Sequence, residues 1–225
     1  GTGRPLPAPR PLHGGAVSHK GVHDLVAAFG AVARADPSAE LTVVGPAGAY
    51  ALEEVCPLDD PAAVARLRPY YGTDYGQVLR VAVPADLAGR VRFAGAVPRA
   101  ELVGLVRAAD VFVFPPLWDE GFGLPPVEAM AAGVPVVVTR SGALVETVVD
   151  GRTGLVVDKG RPDALAAAIL RLLGDDALRA GMGAAGRRHV ESRYAWPVVA
   201  GRARELYASA VAARAGTRPP AGDAG

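Results

Sequence analysis

Five short, mostly apolar runs recur along the chain: LTVVG (41–45), VRFAG (91–95), VFVF (111–114), VPVVVT (134–139) and GLVV (154–157). A strand with one face in water alternates apolar and polar residues, whereas these runs scarcely alternate. Strands of that kind are covered on both faces, which is the situation in a parallel sheet with helices on either side. This feature limits the possible folds more than any other in the sequence.

The segments between the runs carry helical spacing. Val22, Leu25, Val26, Phe29, Val32 and Ala33 lie on one face of a helix that Asp36-Pro37 closes. Asp60-Pro61 reads as a helix start with Ala63, Val64 and Leu67 on one side, and Asp74 with Gln77 resembles a capping box. Pro98 opens a helix that turns Leu102, Leu105, Val106 and Ala109 inward. Further helices are predicted near Pro125 to Gly133 and over 143–149, 162–173, 176–192 and 197–212. The expected fold class is α/β: a single doubly wound Rossmann-like domain with a parallel sheet. Residues 1–12 read as a flexible segment, 13–212 as the domain and 213–225 as a disordered tail, because both ends are rich in Pro and Gly. The least regular stretch is 46–89. RPLHGG, where a first strand is needed, reads poorly because it holds a proline and a histidine.

A length of 225 residues suffices for one substantial core. The net charge of +1 gives no support for a nucleic-acid partner, and no run approaches the roughly 18–20 apolar residues of a membrane-spanning helix. The lone Cys56 cannot form an internal disulfide. No signal peptide is visible in a chain that starts at Gly1, and a cytoplasmic location is expected.

In sheets of this type ligands bind beyond the carboxyl ends of the strands. One such end carries DEGFGLPPVEAM (119–130), in which Glu120 and Glu128 stand eight positions apart across two glycines and two prolines. Gly121 and Gly123 permit positive φ and leave their amides unobstructed. Pro125 and Pro126 suit the first turn of a helix, whose positive dipole end then faces the loop and favours a phosphate. Glu128, one turn further on, can accept two hydroxyl hydrogen bonds from a ribose, and Glu120 can hold sugar hydroxyls. Spacing alone favours chance, since acids near a helix start are common in any protein.

The longer context changes that balance. EGFGLPPVEAMAAGVPVVVT, followed by SGALVETVVDGRTGLVV, resembles the nucleotide-sugar half of retaining GT-B glycosyltransferases with an E-x7-E motif, the group 1 glycosyltransferases. The resemblance spans roughly 20–212 and is most specific over 111–157. It implies the C-terminal half of a GT-B fold that binds a nucleotide-diphosphate sugar as substrate, with no cofactor and no catalytic metal. Glu120 would contact the donor sugar. The backbone of Gly121, Phe122, Gly123 and Leu124 would hold donor hydroxyls and phosphate oxygens, and Glu128 would bind the ribose. Lys20, in HKGVHDL, matches the lysine that neutralises the departing diphosphate, while Ala96 and Val97 match the segment that meets the base. In a full-length enzyme, peripheral membrane contact is compatible with this reading.

Two departures stand out. Where the family carries a phosphate-binding arginine, this chain has Gly15, or Ala16 if the loop is one residue shorter. Loss of one hydrogen bond to a charged group costs roughly 1.5–3 kcal/mol, or about ten- to a hundredfold in transition-state binding. Nothing in the chain resembles the acceptor-binding domain. It is therefore expected to be missing here or carried on another chain, and the isolated chain to be incomplete for transfer. The alternative is a catalytically silent donor domain that needs a partner chain.

Other features have plainer readings. GMGAAG (181–186) spells a dinucleotide fingerprint but follows a helix, so its glycines are expected to permit close helix packing on a face with Leu178, Met182 and Ala185. An oxidoreductase reading falls with it. His19, next to Lys20, fits a solvated loop residue better than a phosphate contact, and His13, His23 and His189 lack ligand spacing for a metal. Trp118 fits either a sugar-pocket wall or aromatic packing, and Tyr70, Tyr71 and Tyr75 read as a packing cluster.

Overall fold

The computed structural model describes residues 10–12, 18–46 and 61–216. In chain order these form β1 (Arg10–Leu12), α1 (Val22–Ala35), β2 (Leu41–Val44), α2 (Pro61–Leu67) and α3 (Tyr75–Ala82). There follow β3 (Val91–Gly95), α4 (Arg99–Arg107), β4 (Phe112–Phe114), α5 (Leu124–Ala131), β5 (Val136–Thr139), α6 (Leu144–Thr147) and β6 (Gly154–Val157). Three helices, α7 (Pro162–Leu173), α8 (Asp176–Arg193) and α9 (Trp196–Gly216), complete the described chain.

All the strand pairings are parallel and form two ladders, β1-β2-β3 and β4-β5-β6. β1 runs beside β4, so the strands lie in the spatial order 3-2-1-4-5-6 of a doubly wound domain. Among the described residues, β1 and β4 lie side by side at that seam without pairing. β1 and β4 have three residues each, and Pro11 has no amide hydrogen to donate.

Alternation along the strands explains the two-sided cover. Val43, Val113, Val137 and Leu155 pack into one core with α1, α3 and α7. Phe112, Phe114, Val136 and Val138 point the other way, against α4, α5 and α6. Phe112 and Val136–Val138 are fully inaccessible to solvent, so truncating Phe112 to Ala would cost about 3–5 kcal/mol. The runs of β2, β4 and β5 are buried on both faces for this reason, whereas VRFAG, expected to be covered in the same way, forms β3 at the end of its ladder and is only partly buried.

Secondary structure extends past the expected domain limits at both ends. Residues 10–12, placed in a flexible segment by their proline content, form β1 in register with β2. At the other end α9 continues to Gly216, past the expected limit at 212, because AVAARAG contains no helix breaker before its glycine. Residues 217–225 lie outside the described residues. Within the irregular stretch, Asp74 caps α3 by accepting from the Gln77 amide at 3.1 Å, which is half of the expected capping box. Among the described residues, no helix is long and apolar enough to cross a membrane.

Candidate functional site

The loop after β4 and the start of α1 meet at the carboxyl ends of the strands. A single 3-10 turn, Ser18–Lys20, leads into α1 through Gly21, whose φ of 68° belongs to the left-handed region. A side chain there is also excluded by space, since a Cβ would lie 1.9 Å from the Pro115 carbonyl oxygen. This close approach presses the start of α1 onto the segment that follows β4. Lys20 is thereby brought to Glu120: its Nζ lies 2.7 Å from Oε2, with both side chains mostly out of water.

Trp118 completes the group. Its indole Nε1 donates to the same Glu120 oxygen at 3.2 Å, and the Lys20 ammonium stands 4.6 Å from the centre of its ring. Phe114, the last residue of β4, offers a second ring at 5.3 Å. An ammonium gains from the negative face of an aromatic ring, so the pocket holds the cation by both charge and quadrupole.

The loop after β5 fixes the backbone around this pair. Ser141, fully buried, accepts from the Glu120 amide at 3.2 Å and donates to the Trp118 carbonyl. The Ala143 amide donates to the Glu120 carbonyl at 2.9 Å. Between them Gly142 takes a φ of 47°, and a Cβ there would stand 2.3 Å from the Glu120 carbonyl oxygen. Its amide donates to Asp119 Oδ1 at 3.1 Å, and Lys159 Nζ binds the same oxygen at 2.6 Å. The Lys159 hydrogen bond holds the Asp119 carboxyl below its usual range.

Beyond Glu120 the chain turns into α5. Gly123 is the N-terminal cap of that helix, with a φ of 79°. Gly121, expected to use the same freedom, takes no positive φ. It lies exposed, with nothing within 4 Å of where a Cβ would be, so what it contributes is an open backbone. Pro125 and Pro126 fall in the first turn as expected, and Val127 makes an intrahelical bond to Gly123. Proline has no N–H, so the helix entrance presents few amide donors beside that of Leu124. Phe122 is partly exposed and meets Tyr194 edge-on at 5.5 Å, and Leu124 is exposed.

Glu128 lies one turn into α5 and is held by Arg99, whose Nη2 lies 3.3 Å from Oε1. Arg99 begins α4, directly after the β3 end that carries Ala96 and Val97. A cavity of about 250 Å³ opens between α4 and α5, lined by Arg99, Leu102, Val103, Val106, Glu128 and Ala131 among others. The site thus has two ends, each with one acid paired to one base. Gly15, Ala16 and His13 lie outside the described residues.

Several contributors escaped the sequence reading. Ser141 and Arg99 have no local signature, because each acts on a residue more than twenty positions away. GMGAAG behaves as expected: it sits inside α8, Gly183 lies against the Gly133 carbonyl and Gly186 against Met130. The tyrosine cluster also involves His23, which stacks on Tyr70 at 4.2 Å and shares a 2.9 Å hydrogen bond with the Tyr75 hydroxyl. Burial pushes His23 down to about 4.

Parallel strands in this order, with an acidic loop and a facing lysine at their carboxyl ends, place the chain among Rossmann-like α/β domains. More narrowly, it belongs to the glycosyl transferases group 1 family, which it matches over residues 13–189. It is 33% identical over 189 residues to a GDP-mannose-dependent monoacylated alpha-(1-6)-phosphatidylinositol monomannoside mannosyltransferase of Corynebacterium glutamicum, covering 81% of this chain and 42% of that protein. Sucrose-phosphate synthase from Thermosynechococcus elongatus superposes with a TM-score of 0.69 at 32% identity, over 93% of this chain and 47% of the other. The C-terminal domain of a glycosyl transferase group 1 family protein (LpcC) from Francisella tularensis gives 0.63 at 25% identity, over 83% and 87% respectively. The chain spans less than half the length of the first two relatives, and most of the third, a C-terminal domain.

Proposed function

We propose that this chain is the donor-binding half of a retaining, metal-independent glycosyltransferase that uses a nucleotide-diphosphate sugar. The observation that carries the reading is the Lys20–Glu120 pair beside the open backbone of Gly121, at the entrance of α5. A lysine, and a helix N-terminus a few residues beyond its partner Glu120, suit a diphosphate, and the carboxylate suits sugar hydroxyls. In this reading Lys20 leaves Glu120 when the donor enters and neutralises the charge that grows on the departing phosphate. Glu120 then orients the sugar's anomeric carbon. The amides of Gly121, Phe122, Gly123 and Leu124 hold hydroxyl and phosphate oxygens. Glu128 takes the ribose hydroxyls, Ala96 and Val97 meet the base through their main chain, and Gly15, or Ala16, takes the sequence position of the arginine that would assist Lys20.

The acceptor is read by a further domain, in the remainder of a longer protein or on a partner chain. A cytoplasmic location, with peripheral membrane contact by the whole enzyme, belongs to the same proposal. Isothermal titration with UDP, GDP and ADP and their sugars tests it: one of these series should bind saturably. A folded sample that binds none of them removes the reading. The replacement of the family's arginine by Gly15 or Ala16 favours a second reading, a silent donor domain working with a partner chain. Sugar transfer by the purified chain alone would eliminate that alternative.

A further inference from the structure

The indole N–H of Trp118 and the ammonium of Lys20 converge on one oxygen of Glu120, at 3.2 and 2.7 Å. These two donors play different parts once a donor molecule arrives. Lys20 ends the 3-10 turn just before α1, its ammonium carried on an unbranched, rotatable side chain, and a diphosphate competes for its charge. Trp118 is uncharged, so a diphosphate does not draw it away from the carboxylate by charge. Its backbone carbonyl accepts from the buried Ser141 hydroxyl, which also holds the Glu120 amide, so the two residues share one anchor. A carboxylate this far out of water needs a hydrogen-bond partner at every stage.

We infer that Trp118 is a positioning residue for the donor sugar: its indole N–H keeps the Glu120 carboxylate oriented after Lys20 has moved to the diphosphate. The inference rests on the donor-binding reading of the site. With Oε2 held by the indole, the other carboxylate oxygen is presented to sugar hydroxyls. The ring has a second part to play. An ammonium 4.6 Å from its centre leaves the indole when Lys20 turns to phosphate, so the ring's electrostatic environment changes on binding.

Both consequences can be measured on the same protein. The chain holds two tryptophans, and Trp196 is largely exposed, so Trp196→Phe leaves Trp118 as the sole indole emitter. In that background, UDP, GDP or ADP, whichever binds, should shift or quench the emission, and Lys20→Met should abolish most of the change. Calorimetry of Trp118→Phe, which keeps an aromatic ring but loses the N–H, gives the second readout. Loss of a hydrogen bond to a charged group predicts about tenfold or more weaker binding of the sugar-bearing donor, with the bare nucleoside diphosphate within about twofold of wild type. An equal loss for both ligands would reduce Trp118 to a structural role. An unchanged preference for the sugar-bearing donor would overturn the inference, as would a silent indole in a protein that calorimetry shows to be binding. If the unmutated chain binds no nucleotide at all, the donor-site reading itself falls and this inference with it.

Discussion

Lys20 and Glu120, one hundred positions apart in the sequence, form a 2.7 Å ion pair where the start of α1 meets the loop after β4. Each charge neutralises the other, so under the proposed donor-binding function a donor replaces an existing interaction in place of simply adding new ones. The first prediction follows from that exchange. Lys20→Met should weaken a bare nucleoside diphosphate about tenfold or more, as expected for a lost charge-assisted contact to phosphate. Glu120→Ala should instead weaken only the sugar-bearing form by that factor. Calorimetric titration of both ligands into both variants checks the split.

The Glu128 end should behave differently, because it is assigned to the ribose that every such ligand carries. Glu128→Ala is expected to weaken a nucleoside diphosphate and its sugar in equal proportion, leaving their affinity ratio unchanged. Arg99→Ala should hardly alter folding. The Arg99 side chain is 81% exposed, and ion pairs of this kind contribute at most about 1 kcal/mol. Urea titration of Arg99→Ala and calorimetry of Glu128→Ala test the two statements.

Two glycines of GMGAAG separate helix packing from any nucleotide role. A Cβ on Gly183 would lie 2.0 Å from the Gly133 carbonyl oxygen, a backbone atom that cannot step aside. Gly183→Ala should therefore destabilise by roughly 1–3 kcal/mol or more, the range for an overpacked contact. Gly181 faces open space on the same helix. Gly181→Ala should stabilise by about 0.5–1 kcal/mol through helix propensity. Thermal melts of the two variants should move in opposite directions, and neither should change nucleotide affinity.

His23 sets a pH dependence. Burial lowers it from 6.5 to about 4, so the folded chain keeps the ring neutral where the unfolded chain protonates it. Its contribution is fully present above pH 6.5 and is lost progressively as the pH falls towards 4. At one unit per 1.36 kcal/mol, the loss approaches about 3 kcal/mol at the acid end of that window. Asp24, 3.8 Å away, is raised by burial and works in the opposite sense over acid pH. Comparing denaturant midpoints of wild type and His23→Gln at pH 7.5 and 4.5 isolates the histidine. The wild type should lose more stability than the variant on going to acid.

How far the sequence carried the reading can be traced through particular residues. Val43, Val113 and Val137 were legible as buried strand positions because burial on both faces writes itself locally, as a run without alternation. The helix at 124–131 was legible because proline and glycine mark its entrance. β1 was obscured by the same logic, since Pro11 and His13 resemble no central strand, yet its pairing with β2 needs only three residues. Glu120 and Glu128 drew attention through the glycine- and proline-rich loop between them and Lys20 through resemblance, and the fold brings Lys20 to Glu120. Ser141, Lys159 and Arg99 stayed hidden because their effect exists only across a gap between two loops or two helices, and nothing in a linear chain records that distance. Gly121 was assigned a backbone freedom that the loop uses at Gly123 instead.

The bonds linking Ser141, Gly142 and Ala143 to residues 118–120 mean that the acidic loop is shaped by a segment it does not adjoin in sequence. A chimera that received DEGFGLPPVEAM on another scaffold would inherit the chemical groups and lose the frame that aims them. Transplanting the site therefore requires two segments, and an insertion a dozen residues downstream of the motif can disarm it without touching a single one of its letters.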